Sequence, residues 1–337
     1  MVTREFDPKT AVYTPPEVAA YGLEAIRNMA QQKSRGAILN IAEIRDYFAP
    51  VLPAQVCAII AQTSNYKSGF MHFWERILAD QLTLEGREDE AIIHVSVEEC
   101  TEEQAYLYLA RESGEDIGAL ARGEVQDWNN LEAAAVRVGN IPIYRIGDSL
   151  ARAEDMPNLY LSNMIRSIRE LVDGKVTGHT VKPAALFFDY LQAFPFDPEV
   201  KRDAPKDAQR RLQVREDVYR LRMAAAYFKC PVIVAVQAKQ HLDGAPSDKF
   251  QLPGIYDGEE SSAIAQRADR IITMWMPKQN HTVGSIVQHK EQTFTVTENL
   301  LFVKIAKQRG GLPSGKTWPC RIDFKNNSIA PTVLSVE

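Results

Sequence analysis

The sequence lacks the features of a membrane-embedded or secreted protein. No apolar run in the 337 residues approaches the roughly 20 residues that a membrane-spanning helix needs. The segment Met1–Asp7 is charged and has no apolar core, which argues against a secretory signal peptide. We therefore expect a cytoplasmic protein with no membrane partner.

Cysteine is also scarce, and the chain has no net positive charge. The four cysteines are widely spaced and form no C-x-x-C pair, so we expect reduced, buried thiols and neither a zinc site nor a disulfide framework. The net charge of −5 excludes a global positive field, so nucleic-acid binding must depend on local basic segments. The six histidines show no ligand spacing, and we expect no metal site beyond one around a bound nucleotide.

Short apolar runs alternate with helical patterns from Gly36 onward. The expected strands are Val56–Ile60, Ala91–Val97, Ile141–Ile146, Ala184–Phe188, Val232–Val236, Arg270–Trp275 and Leu300–Ile305. The expected helices are Gly69–Leu82, Glu102–Glu112, Trp128–Val138, Asn158–Gly174 and Val214–Lys229. Continuous apolar strands separated by helices predict an α/β fold whose largely parallel central sheet carries helices on both faces.

A further helix is predicted before this region. Residues Pro15–Lys33 carry apolar side chains at near-helical spacing, and two prolines stand at the start. The stripe has no partner nearby in sequence, so the helix docks either on the main domain or on a neighbouring subunit. We therefore divide the chain into an N-terminal arm and linker helix, residues 1–35, and one large domain, residues 36–337.

Glycine is missing from a loop that resembles a phosphate-binding loop. The strand Val56–Ile60 leads through a polar turn to Lys67 and Ser68, which open a helix, as in the Walker A pattern G-x-x-x-x-G-K-[ST]. The predicted nucleotide-binding residues are Ala61, Gln62, Thr63, Ser64, Asn65, Tyr66, Lys67 and Ser68, with Ala61 and Tyr66 in the glycine positions. A left-handed backbone at Tyr66 costs about 1–3 kcal/mol, so we expect Asn65 to take the left-handed turn instead.

Three other strands end in polar side chains that suit nucleotide chemistry. Asp189 ends one strand in a Walker B pattern, where its carboxylate and the Ser68 hydroxyl are expected to hold Mg²⁺. Glu98 follows another strand and is the candidate general base for the attacking water. Gln237 ends a third strand, where it is expected to sense the γ-phosphate. ATP and Mg²⁺ are the cofactors this set predicts.

Basic residues follow the last predicted strand and occur in two long charged segments. Lys307 and Arg309 precede two glycines and are candidates for neutralising transition-state charge. The segments 194–211 and 239–260 are predicted as loops. They supply the candidate DNA-binding residues Lys201, Arg202, Lys206, Arg210, Arg211, Lys239, Gln240, His241 and Lys249. Both segments also contain acidic residues, so the alternative is a pair of solvated loops of mixed charge.

In this order, the elements resemble the RecA-like motor domain of the DnaB family of hexameric replicative helicases. The resemblance runs from about Gly36 to Ile329. It includes Asp189–Gln192, the strand Cys230–Gln237, the segment Glu260–Ile272 and the segment Ile305–Gly310. The last two are the most specific, because generic P-loop proteins lack them.

The resemblance implies a role for each matching residue. Lys67 and Ser68 bind phosphates and Mg²⁺, Glu98 is the catalytic base, and Asp189 is the Walker B acid. Gln237 couples the nucleotide to the DNA loops, and Lys307 and Arg309 act on the neighbouring subunit's nucleotide. The implied partners are single-stranded DNA, further copies in a hexamer or related ring, and a loader or primase. Too few residues precede the motor domain for the family's separate N-terminal domain, so we expect a minimal motor of a phage, plasmid or other mobile element.

Two other functions are compatible with these residues. Tyr66 in the loop favours a non-enzymatic alternative, an oligomeric DNA-binding scaffold or recruitment factor that hydrolyses ATP weakly or not at all. A recombinase or clock-type ATPase with the same core is a further alternative. The segments Glu260–Ile272 and Ile305–Gly310 argue against that third interpretation.

Overall fold

The computed structural model describes residues 14–30, 36–147, 159–195, 197, 206–239, 250–258 and 262–332. Its strands are β1 Val56–Ala61, β2 Glu90–Ser96, β3 Ile143–Gly147, β4 Lys182–Asp189, β5 Val232–Gln237, β6 Arg270–Trp275, β7 Ile286–His289, β8 Gln292–Thr295, β9 Leu300–Gln308, β10 Thr317–Asp323 and β11 Ser328–Pro331. Its α-helices are α1 Pro15–Ala30, α2 Lys67–Leu84, α3 Thr101–Ser113, α4 Ile117–Ala121, α5 Trp128–Gly139, α6 Leu161–Val172, α7 Lys206–Phe228 and α8 Ala263–Arg267.

Nine of these strands form one sheet in the order β11-β10-β9-β6-β1-β5-β4-β2-β3. The six strands from β6 to β3 are parallel, and β9, β10 and β11 continue the sheet in antiparallel pairing. Strands β7 and β8 form a separate antiparallel pair. The parallel core confirms the predicted α/β fold with a largely parallel central sheet.

Helices cover both faces of this sheet, because alternate side chains of a strand point to opposite faces. In β1, Cys57 and Ile59 face a core that includes Phe70 and Trp74 of α2. Ala58 and Ile60 face the opposite core, which contains apolar side chains of α6 and α7. Strand β1 is buried along its whole length, as its unbroken apolar sequence predicts.

The two edges of the parallel sheet carry different groups. Strand register places Ala61 beside Gln237 and Ser96 beside Asp189, so these residues share the carboxyl edge. Strand β9 runs the other way, and its end at Gln308 pairs with Arg270 at the start of β6. The end of β9 therefore lies at the opposite edge, about 20 Å away along the six residues of β1.

Several predicted boundaries were wrong. Helix α7 begins at Lys206, so Arg210 and Arg211 lie in a helix and not in a loop. Lysine, arginine, glutamine and alanine all favour helix, so the helix extends several residues before Gln213 and Val214, which are buried. The antiparallel strands β7, β8, β10 and β11 were not predicted, and neither were the short helices α4 and α8.

Other expectations agree with the structure. All four cysteines are buried and unpaired. No described helix is long and apolar enough to cross a membrane. Helix α1 ends at Ala30, and four of its apolar side chains are exposed, namely Val18, Tyr21, Leu23 and Ile26. Residues 31–35, where the predicted boundary between arm and main domain falls, lie outside the described residues.

Candidate nucleotide site

The loop between β1 and α2 has a backbone that suits phosphate although it lacks both glycines. Ala61 lies in the extended strand, where a Cβ atom is tolerated. Tyr66 caps α2 in the left-handed conformation with φ 65° and ψ 28°, and Ser64 is also left-handed with φ 61°. Asn65 was therefore wrongly assigned the left-handed turn. Its side chain instead accepts from the Met276 N–H at 2.7 Å and donates to the Thr63 carbonyl.

The Tyr66 side chain is held against the turn between β10 and β11. Its hydroxyl donates to the Asn327 amide oxygen, and the Asn327 amide nitrogen donates to the Gly69 carbonyl at 3.1 Å. The ring meets the edge of Phe324, with centroids 5.7 Å apart. It also covers Gly69, where a Cβ atom would lie 2.5 Å from the ring. These contacts offset the backbone strain, and we did not foresee them from the sequence.

The Lys67 ammonium is buried at the mouth of this loop. It donates to the Gln62 carbonyl at 3.1 Å and to the Gln237 side-chain oxygen at 2.8 Å. The Gln237 amide nitrogen donates to the Thr63 hydroxyl at 2.6 Å. Burial lowers the pKa of Lys67, and the negative charge of Asp189 opposes this shift. The structure thus brings Lys67 and Gln237 together, and both were predicted as residues of the nucleotide site.

Asp189 lies at the carboxyl edge with a carboxylate suited to a cation. The side chain is 1% exposed, and neither carboxylate oxygen has a hydrogen-bond partner among the described residues. Burial raises the pKa of Asp189, while the Ser68 hydroxyl lies close enough to lower it without reaching hydrogen-bond geometry. A buried, unpaired carboxylate beside a hydroxyl is a chemical fit for Mg²⁺, which prefers hard oxygen ligands. Ser68 and Asp189 are therefore the residues that would hold it.

Glu98 is exposed at the same edge, directly after β2. Partial burial and the charge of Asp189 raise its pKa, and Lys67 opposes the shift. Its backbone N–H and that of Glu99 donate to the Ser96 hydroxyl at 3.4 Å and 3.1 Å. Glu98 therefore projects from a fixed turn beside Lys67 and Asp189, where a general base for water is expected.

A buried polar cluster behind this edge was missed. His72, Glu75 and His94 offer ligand atoms within 4.8 Å of one another, although we expected no histidine cluster. Hydrogen bonds join His72 to Glu75 and Glu99 and join His94 to Glu75. Sequence spacing could not reveal the cluster, because His94 comes from β2 and the other two come from α2. One signal was present, since His94 interrupts the apolar run from Ala91 to Val95 in β2.

Lys307 and Arg309 lie away from the Lys67 loop of their own chain. The Lys307 ammonium donates to the carbonyls of Ala265 and Ala268 at 2.6 Å and 2.8 Å. The Arg309 guanidinium donates to Asp269 at 3.1 Å and to the Gln266 carbonyl. Both residues therefore belong to the amino edge of the parallel strands. The structure does not bring them to the phosphate loop within one chain.

The predicted DNA-binding residues that the structure describes differ in exposure. Lys239 and Arg211 are exposed, whereas the Arg210 guanidinium donates to the carbonyls of Gln192 and Phe194 behind the Walker B strand. Lys206 begins α7, and its side chain is outside the description, as are the residues Lys201, Arg202, Gln240, His241 and Lys249. Gln192 is an additional link, since its side chain accepts from the Gln237 N–H at 3.0 Å.

The parallel sheet, the strand–loop–helix with Lys67 and Ser68, and the acid at the end of β4 together define a RecA-like P-loop ATPase fold. The sequence profile of the DnaB-like helicase C terminal domain matches residues 45–328, and the chain belongs to this family.

Solved structures share the fold at low sequence identity. One of them, an isolated ATPase domain, is 17% identical with a TM-score of 0.67, and the match covers 93% of this chain and 98% of that domain. A DnaB-like replicative helicase, described with its interactions with primase, is 17% identical with a TM-score of 0.65. That match covers 88% of this chain but 63% of the helicase. No curated protein sequence matches this chain significantly.

Proposed function

We propose that the protein is an ATP-dependent helicase or translocase on single-stranded DNA that acts as a ring with ATP at subunit interfaces. One observation carries the proposal. Tyr66 adopts the left-handed backbone that glycine usually supplies, and Lys67 and Ser68 follow at the start of an 18-residue helix. The first backbone N–H groups of such a helix have no partner within it and favour an anion.

The residues at the carboxyl edge have different roles in the proposed hydrolysis of ATP. Lys67 and the loop N–H groups bind the phosphates, and Glu98 takes the proton of the attacking water. Ser68 and Asp189 would hold Mg²⁺, which neutralises charge on phosphate oxygens when it is bound. The raised pKa of Glu98 supports its role, because a stronger base accepts a proton more readily.

We assign to Gln237 the coupling of nucleotide to DNA. Its side chain contacts Lys67 and Thr63 on one side, and its backbone is joined to Gln192. Two residues later, Lys239 enters the second predicted DNA-binding segment. A phosphate that draws Lys67 away from Gln237 would release the glutamine side chain, and we infer that this change is transmitted to the DNA-binding segment.

The location of Lys307 and Arg309 supports action on a neighbouring subunit. Both lie at the amino edge, about 20 Å along β1 from their own phosphate loop. In a ring, that edge of one subunit faces the nucleotide of the next. The exposed apolar side chains of α1 support its proposed role as a linker helix that docks on the adjacent subunit.

The biological setting completes the proposal. The partners are single-stranded DNA, further copies of the chain in a hexamer or related ring, and a loader or primase. We infer a cytoplasmic protein that serves replication of a phage, plasmid or mobile element. Exposed Arg211 and Lys239 are the described residues that we assign to DNA phosphates.

A strand-displacement assay tests the proposal. Purified, oligomeric protein is incubated with a forked duplex, ATP and Mg²⁺, and release of the labelled strand is followed. Wild-type protein is expected to unwind the fork, and Lys67→Ala is the control that removes the phosphate contact. An assembled protein that binds nucleotide and DNA but never unwinds the fork would contradict the proposal.

Tyr66 supports a second candidate, a DNA-binding scaffold that hydrolyses ATP negligibly. The Tyr66→Gly variant separates the two functions. A large gain in ATP turnover would mean that tyrosine suppresses hydrolysis and would favour the scaffold. Unchanged or reduced turnover would mean that the loop has adapted around the tyrosine, as its contacts with Asn327 and Phe324 indicate.

A further inference from the structure

The side chain of His72 lies between two carboxylates behind the candidate nucleotide site. Its Nδ1 atom is 2.8 Å from Glu75 Oε1, and its Nε2 atom is 2.9 Å from Glu99 Oε2. Each carboxylate oxygen accepts a hydrogen bond, so both ring nitrogens must carry hydrogen and the imidazole is cationic. Burial opposes this charge, yet the two glutamates raise the pKa of His72 to about 9.

On the far side of this cluster, Glu75 already has several hydrogen-bond partners. Glu75 also accepts from His94 Nδ1 at 2.7 Å, from Arg145 at 3.1 Å and from the Tyr108 hydroxyl. Glu75 therefore has three hydrogen-bonding neighbours besides His72, and one of them is the Arg145 guanidinium. A metal ion between the histidines would add charge beside the guanidinium, so the cluster is better explained as a support for Glu99.

The near side of the cluster opens to the nucleotide site. The Glu99 side chain is 31% exposed, whereas that of His72 is 3% exposed. The Glu99 backbone is fixed at both ends, since its N–H donates to Ser96 and its carbonyl accepts from Gln104 at 3.0 Å. Ser68 stands one helical turn before His72 on α2, and Ser96 pairs with Asp189 in strand register. Glu99 contacts both His72 and Ser96, so it lies beside the Ser68–Asp189 pair.

We propose that Glu99, held in place by His72, is a positioning residue for the Ser68–Asp189 metal site. Its carboxylate accepts a hydrogen bond from the Ser68 hydroxyl or from water on the cation, which orients the ligands around Asp189. This inference rests on the proposed function, since it requires nucleotide and Mg²⁺ at this edge.

Equilibrium nucleotide binding at varied Mg²⁺ tests the inference without measuring turnover. The probe is a fluorescent ATP analogue, N-methylanthraniloyl ATP, and the readout is the Mg²⁺ concentration that gives half-maximal binding. We expect Glu99→Gln and His72→Gln each to raise this concentration by about tenfold, the usual effect of losing an outer partner of a metal ligand. His94→Gln is the matched control, because it removes a buried donor to Glu75 without touching Glu99.

The outcomes separate this inference from the function on which it rests. An unchanged Mg²⁺ requirement in Glu99→Gln, with normal nucleotide binding by wild-type protein, would overturn the inference and leave the proposed function standing. Wild-type protein that binds no nucleotide at any Mg²⁺ concentration would overturn both. Thermal unfolding confirms that each variant is folded. If His72→Gln fails to fold, the partly exposed Glu99→Gln decides alone.

Discussion

The aromatic ring of Tyr66 occupies the space above Gly69, where any Cβ atom would lie 2.5 Å from the ring. The tyrosine in the phosphate loop and the glycine three residues later therefore depend on each other. Gly69 is the third residue of α2, a position that needs no glycine for its backbone. The glycine that the loop lacks at residue 66 is required at residue 69, because the tyrosine side chain folds back over the helix.

This dependence predicts that the effect of Gly69→Ala on stability has opposite signs in wild-type protein and in the Tyr66→Gly variant. In wild-type protein the added methyl group collides with Tyr66, and we expect a loss of about 1–3 kcal/mol in the free energy of unfolding. In Tyr66→Gly the collision is gone, and alanine should stabilise α2 by about 1 kcal/mol through its higher helix propensity. Urea unfolding of the two single variants and the double variant measures both effects. Equal effects in the two backgrounds would show that the residues are independent.

The unpaired carboxylate of Asp189 predicts that Asp189→Asn stabilises the protein without nucleotide but weakens its stabilisation by Mg²⁺ and ATP. Without Mg²⁺ and ATP, Asp189→Asn removes a buried charge that lacks a partner among the described residues, so stability should rise by about 1–2 kcal/mol. With Mg²⁺ and ATP, wild-type protein should gain thermal stability and the variant should gain little. Differential scanning fluorimetry under both conditions tests this expectation. A variant that responds to Mg²⁺ and ATP like wild-type protein would exclude Asp189 from the metal site.

The buried side chain of Asp217 in α7 predicts a pH dependence of stability. Burial raises its pKa from 3.8 to about 6, although two hydrogen bonds from Gln213 at 2.8 Å oppose the shift. Because this pKa is raised, Asp217 contributes most to the free energy of unfolding below about pH 4. This contribution is lost as the pH rises through about 6. Asp217→Asn removes this loss, so its stability relative to wild-type protein should increase by about 3 kcal/mol between pH 4 and 7.5.

Urea unfolding of Asp217→Asn at several pH values provides the measurement. The control is Asp46→Asn, because the Asp46 side chain is 74% exposed and its replacement should leave the pH profile unchanged. A constant stability difference between Asp217→Asn and wild-type protein across this range would show that Asp217 titrates normally.

The separation of Lys307 and Arg309 from Lys67 predicts complementation between inactive variants. Lys67→Ala lacks the phosphate contact but keeps the basic pair, and Arg309→Ala has the reverse defect. Each variant alone should lose nearly all ATP turnover. In mixed rings, an Arg309→Ala subunit can receive arginine from a Lys67→Ala neighbour, so activity should return. No recovery in mixtures proven to contain both chains would argue that the pair acts within one chain or not at all.

The sequence predicted the parallel core because buried parallel strands are continuous apolar runs. Strands β1, β4 and β5 and the polar residues at their ends follow directly from that pattern. Strands β10 and β11 did not follow, because these antiparallel strands alternate buried residues with more exposed ones and form no continuous apolar run. The Tyr66–Asn327 contact spans 261 positions of the chain, and no local pattern signals it. The sequence showed that tyrosine replaces a Walker A glycine at residue 66. It did not show the contacts with Asn327 and Phe324 that hold this tyrosine in place.

The buried polar cluster around Glu75 was also not predictable from the sequence. His72 and Glu75 are neighbours on α2, yet His94, Glu99 and Arg145 reach them only through the pairing of β2 with β3 and the packing of α2 on the sheet. Residue types and spacing identified the groups that follow strands. They could not identify the buried side chains that contact those residues, because these contacts depend on which strands become neighbours in the sheet.

The most direct test of the account is steady-state ATP hydrolysis by the assembled protein, with and without single-stranded DNA. We expect Mg²⁺-dependent turnover that DNA stimulates and that Lys67→Ala abolishes. This result would mean that the tyrosine-bearing loop still binds phosphate productively. No turnover in either condition, by an assembled protein with Mg²⁺ present, would contradict the motor function and favour a DNA-binding scaffold.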